Sequence, residues 1–154
     1  MRVLSIILIV TLISCADHGI ERLDSLVQRQ QIQSLNGTWK VISFEDLSTQ
    51  EILLQTQENS WGYDIVITFD DTKDPGKIFG KNTTNSVSGE FEYTSETTFK
   101  LNGLNSTKIG QPEWGNKFSA AIFNDNNAVD FEIDNSKLKI YYKNKSNSVT
   151  LVKQ

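Results

Sequence analysis

Tyr63-Asp64-Ile65-Val66-Ile67-Thr68-Phe69 is the stretch that decides the fold. Tyr63, Ile65, Ile67 and Phe69 alternate with Asp64, Val66 and Thr68, the period-two pattern of a strand with one face buried. The same texture runs outward on both sides. Upstream, Thr38 to Phe44 opens on Gly37-Thr38-Trp39, and Glu51 to Leu54 reads as a short strand. Downstream, Asp70 to Gly76 is a turn punctuated by Pro75-Gly76, and Lys77 to Gly80 is a short strand. Val87, Gly89, Phe91 and Tyr93 then share one parity, with Glu90 and Glu92 on the other, and Phe99 and Leu101 mark the next strand.

One helix interrupts the strands. Gln111 to Phe123 places Trp114, Phe118, Ala121 and Ile122 at i, i+4, i+7 and i+8, a single apolar face. Pro112 suits the first helical position, where its missing N–H is no loss, and Glu113 and Lys117 pair at i, i+4. Asn124 to Asn127 ends it. Three strands close the chain, at Val129–Ile133, Leu138–Tyr142 and Val149–Leu151, and their short connections predict an antiparallel meander. About eight short strands with one helix predict a mainly β domain, a closed barrel or sandwich, because closure removes exposed edges.

The N-terminus has a different texture. Met1-Arg2 precedes an eleven-residue apolar run, Val3 to Ile13, broken only by Ser5 and Thr11, and then Ser14-Cys15. A charge, a short apolar stretch and a small residue form a secretory signal. The run is too short for a bilayer crossing, which takes about 20 apolar residues. Residues 1–14 are read as a removed signal peptide, 15–34 as a tether and 35–154 as one β domain. The tether carries Ile20, Leu23, Leu26 and Val27 at helical spacing.

Composition narrows the chemistry. The formal charge is -4, and loss of Arg2 with the signal makes it -5, which argues against a nucleic-acid partner. Lys137, Lys139, Lys143 and Lys145 read as a solvated strand face. The single histidine, His18, lies in the tether, where it cannot serve a catalytic triad, and a zinc site needs several His or Cys ligands. Asp70-Asp71-Thr72-Lys73-Asp74-Pro75-Gly76 lacks the alternation and the terminal Glu of a calcium loop. Glu90 and Glu92 show no pocket that would separate their pKa values. No catalytic, metal or cofactor residue is therefore expected, and the chain is not expected to be an enzyme. Of Trp39, Trp61 and Trp114, Trp61 is the one expected to be partly exposed, between Ser60 and Gly62.

Leu12-Ile13-Ser14-Cys15 resembles the lipobox of bacterial lipoproteins. The resemblance implies cleavage before Cys15, diacylglycerol on its thiol and further acylation such as palmitate. Two or three chains anchor stably where one does so only marginally. The implied place is the bacterial cell envelope, with the outer membrane favoured over the inner. Cys15 is the only cysteine, so no disulfide supports the domain.

Asn85-Ser86-Val87-Ser88-Gly89 with Phe91, followed by Thr107-Lys108-Ile109-Gly110 ahead of the helix, resembles the META domain of the HslJ-like heat-shock lipoproteins. The resemblance covers Gly80 to Gln154. Some members carry one cysteine just before that Asn and another where the helix begins; here these are Thr84 and Gln111. It implies an envelope lipoprotein with a compact β fold, linked in that family to stress or antibiotic tolerance; the absence of reactive residues adds the expectation of a non-enzymatic role, with an unidentified envelope protein as partner. Gly37-Thr38-Trp39 also resembles the first strand of lipocalin-like carriers, which implies a small apolar ligand in a barrel cavity. No lipocalin-type Arg stands near the last strand to cover that Trp.

Overall fold

The computed structural model describes residues 33–123 and 128–154, so the readings of the signal, Cys15, His18 and most of the tether lie outside the described residues. Among the described residues nine strands and two helices follow in order: β1 (Gly37–Asp46), β2 (Glu51–Leu54), α1 (Gln57–Ser60), β3 (Ile65–Asp70), β4 (Gly76–Asn82), β5 (Asn85–Ser95), β6 (Thr98–Ser106), α2 (Glu113–Ile122), β7 (Ala128–Asp134), β8 (Lys137–Tyr142) and β9 (Asn147–Lys153).

All strand pairs are antiparallel. β1, β3, β4, β5, β6, β7, β8 and β9 follow one another around the sheet, and β9 returns to β1, which closes an eight-stranded barrel. The expected meander is β7–β8–β9. β9 occupies one edge of β1 from Trp39 to Asp46. The other edge is divided: β3 takes Gly37 to Lys40, and β2 takes Ser43 to Asp46. β2 and β3 are thus one discontinuous strand along β1, interrupted by residues 55–64.

An eight-stranded barrel is just wide enough for its own side chains to fill it. The inward set, alternating along every strand, includes Trp39, Val41, Ile65, Ile67, Phe69, Ile78, Phe91, Phe99, Phe131, Leu138, Ile140, Val149 and Leu151, all buried. Phe91 meets Phe69 edge-on at 5.4 Å between centroids, and Phe69 meets Phe99 in the same way at 5.8 Å. Most outward positions carry Lys, Glu, Thr and Ser. That is the reverse of a membrane-spanning barrel, whose outer band is apolar.

Both ends are stoppered. α2 closes the end where β1 finishes, with Trp114, Phe118, Ala121 and Ile122 buried and Trp114 edge-on to Phe44 at 4.7 Å. Gly115 allows the close approach, since a Cβ there would lie 2.5 Å from Thr83 Oγ1. At the other end Leu35 is buried: its N–H donates to Tyr93 Oη (2.7 Å), and its carbonyl accepts from Trp39 Nε1 (2.7 Å). Asp71 accepts from Ser34 Oγ (2.6 Å) and from Tyr93 Oη (3.0 Å), while Gln33 exchanges two hydrogen bonds with the backbone of Ile133. Burial, then the bond to the Asp71 carboxylate, holds the Tyr93 hydroxyl protonated well above its ordinary range.

Several expectations are corrected. Pro112 is the N-cap of α2, not its first residue; its ψ of 172° is extended, and the helix begins at Glu113. Lys143 and Lys145 leave the strand for the β8–β9 turn, where both have positive φ. Lys139 pairs with Glu45 (2.9 Å) and Lys145 with Asp130 (3.1 Å), so the four lysines do not form one face. Lys153, on the last strand, places its Nζ 5.5 Å from the centroid of the Trp39 indole.

Phe91→Ala removes the ring at the centre of this aromatic cluster. It is expected to lower stability by about 3–5 kcal/mol, measured by urea denaturation, with the far-UV β signature retained in the folded fraction.

Candidate functional site

The chemistry of the described residues lies on the outside of the barrel. Six large apolar side chains there remain exposed: Ile52 and Leu54 on β2, Trp61 and Tyr63 after α1, Phe79 on β4, and Ile109 before α2, each between 47% and 62%. Tyr63, Val66, Phe79 and Ile109 line one open groove of 690 Å³, with Asp64, Thr68, Lys81, Thr83 and Thr84 around them. Ile52 and Leu54 share the outward face of the adjoining β2, and Leu53 between them packs inward.

Local rules explain how these residues come to face outward. After β2, Thr56 caps α1 in a reciprocal capping box with Asn59. Trp61 ends this single turn in the left-handed region (φ 53°), and Gly62 follows at φ 77°. The two residues turn the chain back toward β3 and leave the Trp61 ring outside. Gln55 Nε2 donates to Tyr63 O (3.1 Å) and to Asp64 Oδ1 (3.0 Å), tying the end of β2 to the start of β3. Hydrogen bonding from Lys40 holds the Asp64 carboxyl below the usual range, helped by Gln55; Lys40 Nζ lies 2.8 Å from it. On the groove floor Gly80 is required: a Cβ there would stand 2.2 Å from Val66 O.

The other wall is built by the Asn85 motif. Asn85 is buried at the start of β5. Its Oδ1 accepts from Ile109 N (2.8 Å) and Thr107 Oγ1 (2.9 Å). Its Nδ2 donates to Ile109 O (2.9 Å) and Gln111 Oε1 (2.8 Å). One side chain therefore holds both backbone groups of Ile109. Gln111 Nε2 donates to Ser119 Oγ and Asn116 Oδ1, both at 3.0 Å. Asn82 Nδ2 donates to Ser119 Oγ (2.8 Å) and Gly115 O (3.0 Å). The network fastens the loop before α2, and α2 itself, to the β4–β5 turn. Gly89 marks a register shift between β5 and β6, with Leu104 pressed against it.

Thus Asn85, Thr107, Gly110 and Gln111, separated in sequence, meet at one place, and Thr84 Oγ1 donates to Gly110 O (3.0 Å). The remaining candidates stay apart from it. Glu90 forms an ion pair with Lys77, and Asp70 closes its own turn on Thr72. Among the described residues no group of His, Cys, Asp or Glu is arranged to hold a metal ion. Sequence reasoning found Trp61, missed Phe79, Ile52, Leu54 and Ile109, and put Tyr63 on the buried face of a strand, whereas it precedes β3 and is exposed because the chain is still turning there. Phe79 carried a signal, since it shares the outward parity of Lys77 and Lys81.

No family model matches the chain, and no curated protein matches it. Two solved structures share its fold. A protein from Burkholderia xenovorans, determined by NMR, superposes with a TM-score of 0.57 at 12% identity, over 78% of this chain and 83% of that one. A DUF4847 family protein from Bacteroides vulgatus superposes with a TM-score of 0.51 at 19% identity, over 78% of this chain and 95% of that one. At these identities the likeness is one of fold.

Asn85→Ala leaves Ile109 N and Thr107 Oγ1 without their acceptor. Stability is expected to fall by about 1–3 kcal/mol. Amide hydrogen exchange should accelerate at Ile109 and across 107–111 while β7–β9 stay protected; unchanged exchange at Ile109 would count against the assigned network.

Proposed function

We propose that this is a lipid-anchored bacterial envelope protein with a META/HslJ-like domain, held in the membrane through Cys15 and acting by contact rather than by catalysis. The observation that carries the contact reading is the filled interior. Trp39, Phe69, Phe91 and Phe131 are each at most 1% exposed and occupy the space in which a lipocalin-like carrier would hold its ligand. A filled barrel is a scaffold, and what such a scaffold can offer a partner is its outer surface. The address rests on Leu12-Ile13-Ser14-Cys15 after the apolar run. The described chain begins at Gln33, on the end of the barrel opposite α2, so a tether from Cys15 joins the domain at that end.

The META/HslJ reading draws support from Asn85, Thr107 and Gln111, whose side chains form one network although 22 and then 4 residues separate them. The two positions at which some members of that family carry cysteines are also close: Thr84 reaches the carbonyl of the residue before Gln111. Participation in stress or antibiotic tolerance and attachment to the outer membrane belong to the same reading.

Two experiments test it. Radiolabelled palmitate fed to producing cells is expected to label the full chain and not Cys15→Ala, and the substituted chain should leave the membrane fraction; equal labelling of the two would overturn the anchor. Thr84→Cys with Gln111→Cys is expected to form an intrachain disulfide, seen as protection of both thiols from maleimide under denaturing, non-reducing conditions. Two freely reactive thiols in a chain that still folds would count against placing these positions on the family's cysteine pair.

A further inference from the structure

From the distribution of the exposed apolar side chains we infer that the β2–α1–β3–β4 side of the barrel lies against the surface of a phospholipid bilayer, with Trp61 and Tyr63 at headgroup depth. The inference rests on the anchored reading above and adds an orientation to it.

Isolated exposed apolar residues are ordinary on a soluble protein. Here three of the six among the described residues, Tyr63, Phe79 and Ile109, share one groove, and Trp61 precedes Tyr63 by two residues in the same β2–β3 excursion. Their chemistry suits an interface. Trp and Tyr place an apolar ring and a polar tip at the boundary between hydrocarbon and water, and Ile and Leu beside them enter the acyl edge. Two lysines that can meet lipid phosphate stand at the groove although the whole chain is acidic. Lys81 lines the groove, and Lys108 precedes Ile109; both are exposed, and neither forms an ion pair among the described residues. The acid on the groove, Asp64, is bound to Lys40. Glu51 and Glu58 are the exposed carboxylates of the β2–α1 excursion; Glu51, together with Ile52, lines the separate groove beside α2.

Chain length permits the pose. Seventeen residues separate Cys15 from Gln33. Extended, they span at most about 60 Å, whereas a seven-residue strand such as β4 is about 23 Å long. The tether can therefore hold the barrel lying on its side as readily as standing on its end. It also keeps the bilayer permanently within reach, so even a weak contact is populated as an intramolecular event.

The tryptophans provide the measurement. Trp39 and Trp114 are buried and Trp61 is exposed, so collisional quenching reports on Trp61. The full lipidated chain is reconstituted into phosphatidylcholine vesicles with and without brominated acyl chains. The expected result is a blue-shifted Trp61 component quenched at least two-fold by brominated lipid and shielded from aqueous acrylamide, and lost in Trp61→Phe. Tyr63→Ser with Ile109→Ser should restore acrylamide access while leaving the protein in the vesicles. Acrylamide quenching without bromolipid quenching in the anchored protein overturns the inference. So does shielding from both quenchers with a sedimentation mass of two chains, which would assign the surface to a second copy. Failure of the anchor is distinguished by absence of palmitate. In that case the unlipidated full chain, added to the same vesicles, must still show the bromolipid signal for the bilayer contact to stand.

Discussion

The pairing of β9 with β1, from Trp39 opposite Lys153 to Asp46 opposite Asn147, converts a meander into a barrel. Without it the sheet would have two long edges and an apolar face open to water. With it, the backbone groups of eight strands find partners and the inward side chains enclose one another. Trp39 sits at the seam. Its indole lies beneath Lys153, and its N–H bonds the carbonyl of Leu35, so one residue joins the first strand, the last strand and the segment that leads into the barrel. The bulge between Val41 and Ser43 lets β1 bend through this junction and change partners along its other edge.

That change of partner produces the outer surface. β3 begins only at Ile65, so the second half of β1 would present an unpaired edge. β2 covers it with four residues, and the chain then travels outward through α1 before resuming as β3. The cost of protecting the edge is an excursion with little core beneath it, in which Ile52, Leu54, Trp61 and Tyr63 remain in solvent. Edge protection alone would be satisfied by polar residues, as charged and short edge strands commonly show. The apolar choices here, next to an apolar groove, are what the proposed contact rests on.

Period two made the strands legible: Ile65, Ile67 and Phe69 point inward as their alternation requires, and the closing meander follows from three short connections. The helix face was legible because Trp114, Phe118, Ala121 and Ile122 repeat at its period. Its first residue was not, because Pro is compatible with both the cap and the position after it, and the extended ψ that decides between them depends on how the preceding loop is held. The motif marks Asn85 without saying what it bonds; its partners lie 22 to 26 residues away, and no local pattern records them. The approach of Lys153 to Trp39 was hidden for the same reason, since their adjacency exists only once β9 returns to β1.

The Asn85 network bears on what the surface is for. A loop that merely connected β6 to α2 could leave the backbone of Ile109 to water. Instead a buried amide takes both its N–H and its carbonyl, at 2.8 and 2.9 Å, while the side chain projects into solvent. Tyr63 is fixed on the opposite wall by Ser60 O and Gln55 Nε2. Holding the backbone on both sides of the groove means that little ordering entropy remains to be lost when something lies against it, the condition under which a small apolar contact gives useful affinity. Rigid backbone beneath exposed apolar side chains is the arrangement that a scaffold without a cavity needs if it is to act through its surface.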